Sequence, residues 1–78
     1  MDCEHSGGRY TTVFFNDAKE GCAGLELHRG AEGASRQVAK IVYWDACGHF
    51  FLETFDFDVP VDIIEKLIAE AKTLIKTK

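Results

Sequence analysis

One proline in 78 residues leaves little to interrupt regular structure, and three cysteines are an odd number that cannot all pair within one chain. Small disulfide scaffolds carry more cysteines at higher density, so free thiols are expected. No apolar run approaches the roughly 20 residues of a membrane span. The leading "MDCEHSGG" is acidic and polar and lacks the apolar stretch of a secretory signal. These absences argue for a cytoplasmic location. Basic charge is also scarce, with nine Lys and Arg against 13 Asp and Glu and a net charge of −4. The basic residues are spread out apart from Lys72, Lys76 and Lys78, whereas phosphate binding needs a concentrated positive surface. Nucleic acid and membrane surfaces are therefore not expected partners. No Pro-, Ser- or Gly-rich tract is long enough to be a linker. Residues 1–8 read as a flexible arm and residues 9–78 as a single domain.

What the chain does have is β patterning followed by one helix. "RYTTVFF" is rich in aromatic and β-branched residues, and "NDAKEG" follows with loop punctuation. "CAGLELHR" alternates, with Ala23, Leu25 and Leu27 on one side and Cys22, Gly24, Glu26 and His28 on the other. After "GAEGAS", the runs "RQVAKIVYW" and "HFFLETFDF" flank "DACG" as a second hairpin. In "PVDIIEKLIAEAKTLIK", Val61, Ile64, Leu67, Ile68, Ala71, Leu74 and Ile75 recur at helical spacing. Pro60 suits the first turn, and Asp62, Glu65, Lys72 and Lys76 complement the helix dipole. The expected fold is α+β, a four-stranded antiparallel β-meander with one C-terminal α-helix packed on one face.

The second hairpin is apolar on both sides. With Ala46, Cys47 and Gly48 as a three-residue loop, Trp44 opposes Phe50 and Val42 opposes Leu52. The pleat then groups Val38, Lys40, Val42, Trp44, Phe50, Leu52 and Thr54 on one face. Ala39, Ile41, Tyr43, Phe51, Glu53, Phe55 and Phe57 share the other. Glu53 on an edge strand reaches water more easily than Lys40 on an inner strand, which assigns the second group to the core. One helix about 10 to 12 Å across cannot cover four strands spaced at about 4.8 Å. The remaining apolar patch, Val42, Trp44, Phe50 and Leu52 beside Lys40, is the candidate interface or ligand site, unless loops or the N-terminal arm fold over it.

Other constellations carry less. Cys3-Glu4-His5 and Cys47-Gly48-His49 repeat a C-x-H spacing, but zinc sites more usually show C-x2-C or H-x3-H. No metal and no cofactor is expected. Cys47 with His49 as a nucleophilic pair would need an orienting third group and a pocket. Glu53, Asp56, Asp58, Asp62 and Glu65 lack calcium-loop spacing and read as a solvated acidic face. Trp44 and Phe50 near Asp45 offer cation–π and Coulomb attraction to a cationic ligand, or are simply a cross-strand pair stabilising the hairpin. In size and in its meander-plus-helix pattern the chain resembles the small proteins carried on bacterial mobile gene cassettes, a resemblance that implies no site or activity. The functional expectation is a non-enzymatic module that self-associates, as a homodimer, through the second hairpin. The alternative is a binding domain for a cationic or apolar small molecule on the same patch.

Overall fold

The computed structural model of the chain describes residues 1–5, 7–30 and 33–75. Ser6, part of the "GAEGAS" connection (residues 31 and 32) and the terminal Lys76 and Lys78 lie outside the described residues. The elements are β1 (Asp2–His5), β2 (Gly8–Asp17), β3 (Cys22–Arg29), β4 (Arg36–Trp44), β5 (His49–Thr54) and α1 (Val61–Leu74). The strands form one sheet in chain order, and each is antiparallel to the next. The architecture is α+β with a C-terminal helix, as expected, but the sheet has five strands rather than four.

The additional strand comes from the stretch expected to be an arm. Asp2–His5 is short and lacks β-branched or aromatic residues, so propensity gives no sign of it. Its alternation of exposed and half-buried positions follows from pairing with β2, Cys3 opposite Tyr10 and His5 opposite Gly8. Arg9 donates to both Asp2 carboxylate oxygens, at 2.9 and 2.6 Å. That hydrogen bonding holds the Asp2 carboxyl below its usual range. The pair is solvent-exposed, so it aligns the strand more than it stabilises the fold.

The core lies between α1 and one face of β2, β3 and β4. Tyr10, Leu25, Leu27, Val38, Ala39, Ile41 and Tyr43 from the sheet meet Ile63, Leu67, Ala71 and Ile75 from the helix. A register shift between Leu27 and His28 lets both Val38 and Ala39 pack fully against it. Thr12 Oγ1 donates to the Glu70 carboxylate at 2.9 Å, joining β2 to the helix beside the apolar contact.

The helix begins after Pro60, whose carbonyl accepts from Ile63 N at 3.0 Å and Ile64 N at 3.1 Å. Its buried stripe is Ile63, Leu67, Ala71 and Ile75, an i, i+4 series, with Ile64 and Ile68 half-buried alongside. The apolar positions taken from sequence spacing are thus rotated from the true contact line. Val61 is 70% exposed and Leu74 51% exposed, while Ile63, which is not part of the expected stripe, has no exposure. Adjacent apolar residues in "VDIIE" and in "TLI" permit either phase, and the sheet surface selects one.

Candidate functional site

The hairpin loop between β4 and β5 has four residues, 45–48, not three. Trp44 pairs with His49, and Gly48 N–H donates to the Trp44 carbonyl at 2.8 Å. Gly48 has φ of 70°, the left-handed conformation expected of it. One added loop residue slips the register by one, and every β5 side chain changes face. Tyr43 therefore opposes Phe50, Ile41 opposes Leu52 and Ala39 opposes Thr54 on the helix side. Val42 opposes Phe51 and Lys40 opposes Glu53 on the other.

This corrects the expected patch. Lys40, Val42 and Trp44 belong to the helix-free face, but Phe50 and Leu52 do not. Phe50 packs on the core, its ring centroid 5.0 Å from that of Tyr43. Leu52 stands beside it near the edge of the sheet and is 44% exposed. Conversely Phe51 and Glu53, expected in the core, lie on the open face. The assignment of Ala39, Ile41 and Tyr43 to the core holds.

The strand registers build the open face as transverse rows. Phe15, Gly24, Val42 and Phe51 pair in sequence from β2 to β5 and make an apolar row. On one side of it runs Val13, Glu26, Lys40 and Glu53. On the other runs Asp17, Cys22, Trp44 and His49. An apolar centre with a charged margin is the anatomy of an interface.

Gly24 is what makes the centre flat. A Cβ there would lie within contact of the Ile41 carbonyl oxygen and 2.8 Å from Phe15 Cζ. The Phe15 ring thus lies down over the glycine, the cross-strand arrangement by which an aromatic covers bare backbone. Val42, opposite Gly24 on β4, is only 7% exposed although no described helix covers it. Phe51 and Trp44 flank Val42 and remain 54% and 36% exposed. Of the stretch that could have folded over this patch, Asp2–His5 instead forms β1 at the far edge of the sheet.

Two residues of the face are not apparent from sequence. Phe15 belongs with Val13 by simple alternation in "TTVFF", but Phe14 and Phe15 are equally apolar and nothing in that run fixes the phase. Phe51 changes face with the loop length.

Lys40 is half-buried between Glu26 and Glu53 and makes no ion pair among the described residues. Glu26 Oε1 shares a hydrogen bond with His28, at 3.1 Å from Nε2.

The thiols are separated. Cys3 and His5 lie on β1 while Cys47 and His49 lie at β5, opposite edges of five strands, roughly 19 Å apart at about 4.8 Å per strand. One ion cannot be held by both pairs. No group of three or more metal-ligating side chains occurs among the described residues. Cys47 and His49 are both exposed at the hairpin tip, and the Cys47 thiol donates to the Trp44 carbonyl at 3.9 Å. Burial and the nearby Asp17 and Glu20 carboxylates push the Cys22 thiol up. Cys47 is therefore expected to alkylate first, with half-buried Cys3 and Cys22 slower. A timed alkylation followed by peptide mass analysis checks this order, and protection of Cys3 and Cys47 together by added zinc would contradict their separation across the sheet.

The fold and face define a two-layer α+β domain whose sheet is covered on one side by a helix and on the other by no element among the described residues. No family model, no curated protein and no solved structure matches this chain.

Proposed function

We propose that the chain is a small non-enzymatic interaction module that forms a two-fold dimer through the open face of its second hairpin. The observation that carries this is the exposed pair Phe51 and Trp44 on the apolar row of Phe15 and Val42, a face on which no described helix packs. A two-fold interface uses one patch twice, so a single surplus face is sufficient. Four strands by three rows give a footprint about 20 Å on a side, roughly 400 Å² per copy and about 800 Å² in all, below the roughly 1,200 Å² at which standard interfaces begin, so weak association is expected.

Trp44→Ala is expected to weaken association about tenfold or more while changing the melting temperature of the monomer little, because a half-exposed Trp at an interface is a typical hot spot. Sedimentation velocity across a dilution series, paired with thermal melts, separates the two effects. A Trp44→Ala chain that dimerises like wild type, or that no longer folds, removes Trp44 from the interface.

The second reading keeps the patch and changes the occupant to a cationic or apolar small molecule. It rests on exposed Trp44 adjoining exposed Asp45, which together offer a ring face and a carboxylate. A monomer whose melting temperature rises with cationic amphiphiles favours this reading over the dimer.

A further inference from the structure

We infer that the partner on the open face is a second copy of this chain docked about a two-fold axis that runs parallel to the strands along the boundary between β3 and β4, with Lys40 of each copy facing Glu26 of the other. The inference rests on the proposed dimer and specifies its geometry.

Consider two open faces brought together by a two-fold axis lying between the sheets along the strand direction. Each transverse row then meets the same row of the other copy, in reversed strand order. The charged row reads Val13, Glu26, Lys40, Glu53 from β2 to β5. An axis over β4 would set Lys40 against Lys40, and an axis over β3 would set Glu26 against Glu26. Like charges brought together in this way cost several kcal/mol. An axis on the β3–β4 boundary instead sets Glu26 against Lys40 twice. Each acid then has a base beside it in its own sheet and another across the interface, and the four groups alternate in sign around the axis. A lysine and a glutamate side chain end to end span about 10 Å, the separation of packed sheets.

The apolar row agrees with the same axis. Reversal sets Phe15 against Phe51 and Val42 against Gly24, where the Phe15 ring lies flat over bare backbone. Phe51, 54% exposed, thus meets the half-buried Phe15 ring, while Val42, only 7% exposed, adds little contact. A boundary between β4 and β5 would also pair Lys40 with an acid, Glu53, but it overlaps only two strands of each copy and leaves Phe15 unopposed.

The test uses Lys40→Glu and Glu26→Lys in the full chain, alone and mixed in equal amounts, by sedimentation equilibrium with a thermal melt of each. Each variant alone faces like charge twice and is expected to dimerise at least about tenfold more weakly than wild type. The mixture restores both opposite pairs, so a heterodimer of near wild-type affinity is expected. A chain carrying both substitutions is expected to dimerise like wild type, and neither restored species could form from unfolded protein. Glu26→Lys that dimerises as wild type does, with Lys40→Glu impaired, moves the axis to the β4–β5 boundary and overturns the inference while keeping the dimer. Wild-type dimerisation by both variants means that the contact lies elsewhere, such as the free edge of β5, and overturns it as well. A monomeric wild type overturns the dimer itself and this geometry with it.

Discussion

Gly24→Ala is expected to destabilise the fold by about 3 kcal/mol or more, the site being the tightest for an added Cβ among the glycines. The position is buried in β3, and its missing Cβ faces the Ile41 carbonyl of β4 on one side and the Phe15 ring of β2 on the other. A carbonyl oxygen fixed in the ladder cannot move aside as the end of a flexible side chain can, so β3 and β4 must separate locally. For a domain of this size a loss of about 3 kcal/mol corresponds to a fall in melting temperature of roughly 12 to 24 °C. The cause can be divided. In a Phe15→Ala background the ring is gone and the carbonyl remains, so the cost of Gly24→Ala should shrink without vanishing. Chemical denaturation of the four chains of this cycle measures it. A loss below about 0.5 kcal/mol for Gly24→Ala alone would contradict the close approach of the β3 and β4 backbones.

Leu67→Ala is expected to cost about 2 to 5 kcal/mol. Leu67 is fully buried in the middle of the helix, one turn from Ile63 and one from Ala71, against the central strands β3 and β4. Removing it leaves a cavity bounded by a sheet that cannot collapse into it. The control is Leu74→Ala, the same chemistry at a position 51% exposed, expected to stay within about 0.5 kcal/mol. Ile64→Ala should fall between them, since Ile64 is half-buried. Equal losses at Leu67 and Leu74 in urea titrations would contradict the phase of the helix, with Leu67 inward and Leu74 outward.

These residues show where sequence was sufficient. Leu25 and Leu27 alternate with Glu26 and His28, so only one face of β3 can be the core. Ala39, Ile41 and Tyr43 follow from β3 by pairing. Gly48 marks the turn because few other residues tolerate its φ of 70°. What sequence could not give was register. "DACG" fits a three-residue or a four-residue loop about equally, and the choice moves Phe50, Phe51, Leu52 and Glu53 as a set. β5 is apolar on both faces, with Phe50 and Leu52 on one and Phe51 on the other, so neither register exposes an obvious error. Charge placement is only partly informative for a related reason. It places Lys40 on the open face, where Lys40 lies, but it puts Glu53 on the core side because an edge strand tolerates a carboxylate there. The one-residue slip instead carries Glu53 to the open face, opposite Lys40. β1 is invisible in the sequence because its four residues are held by pairing with β2 and by the Arg9–Asp2 contact, not by their own preference.

The most direct test compares wild type with Phe51→Glu by sedimentation equilibrium at up to ~1 mM, a range that reaches the weak association expected for this footprint. Phe51 is 54% exposed on the open face, so a carboxylate there disturbs association and spares the core. Wild type should approach twice the mass of one chain, and Phe51→Glu should stay at the mass of one chain with a cooperative melt of its own. A wild-type monomer throughout that range, or a Phe51→Glu dimer as tight as wild type, would contradict the open face as the interface.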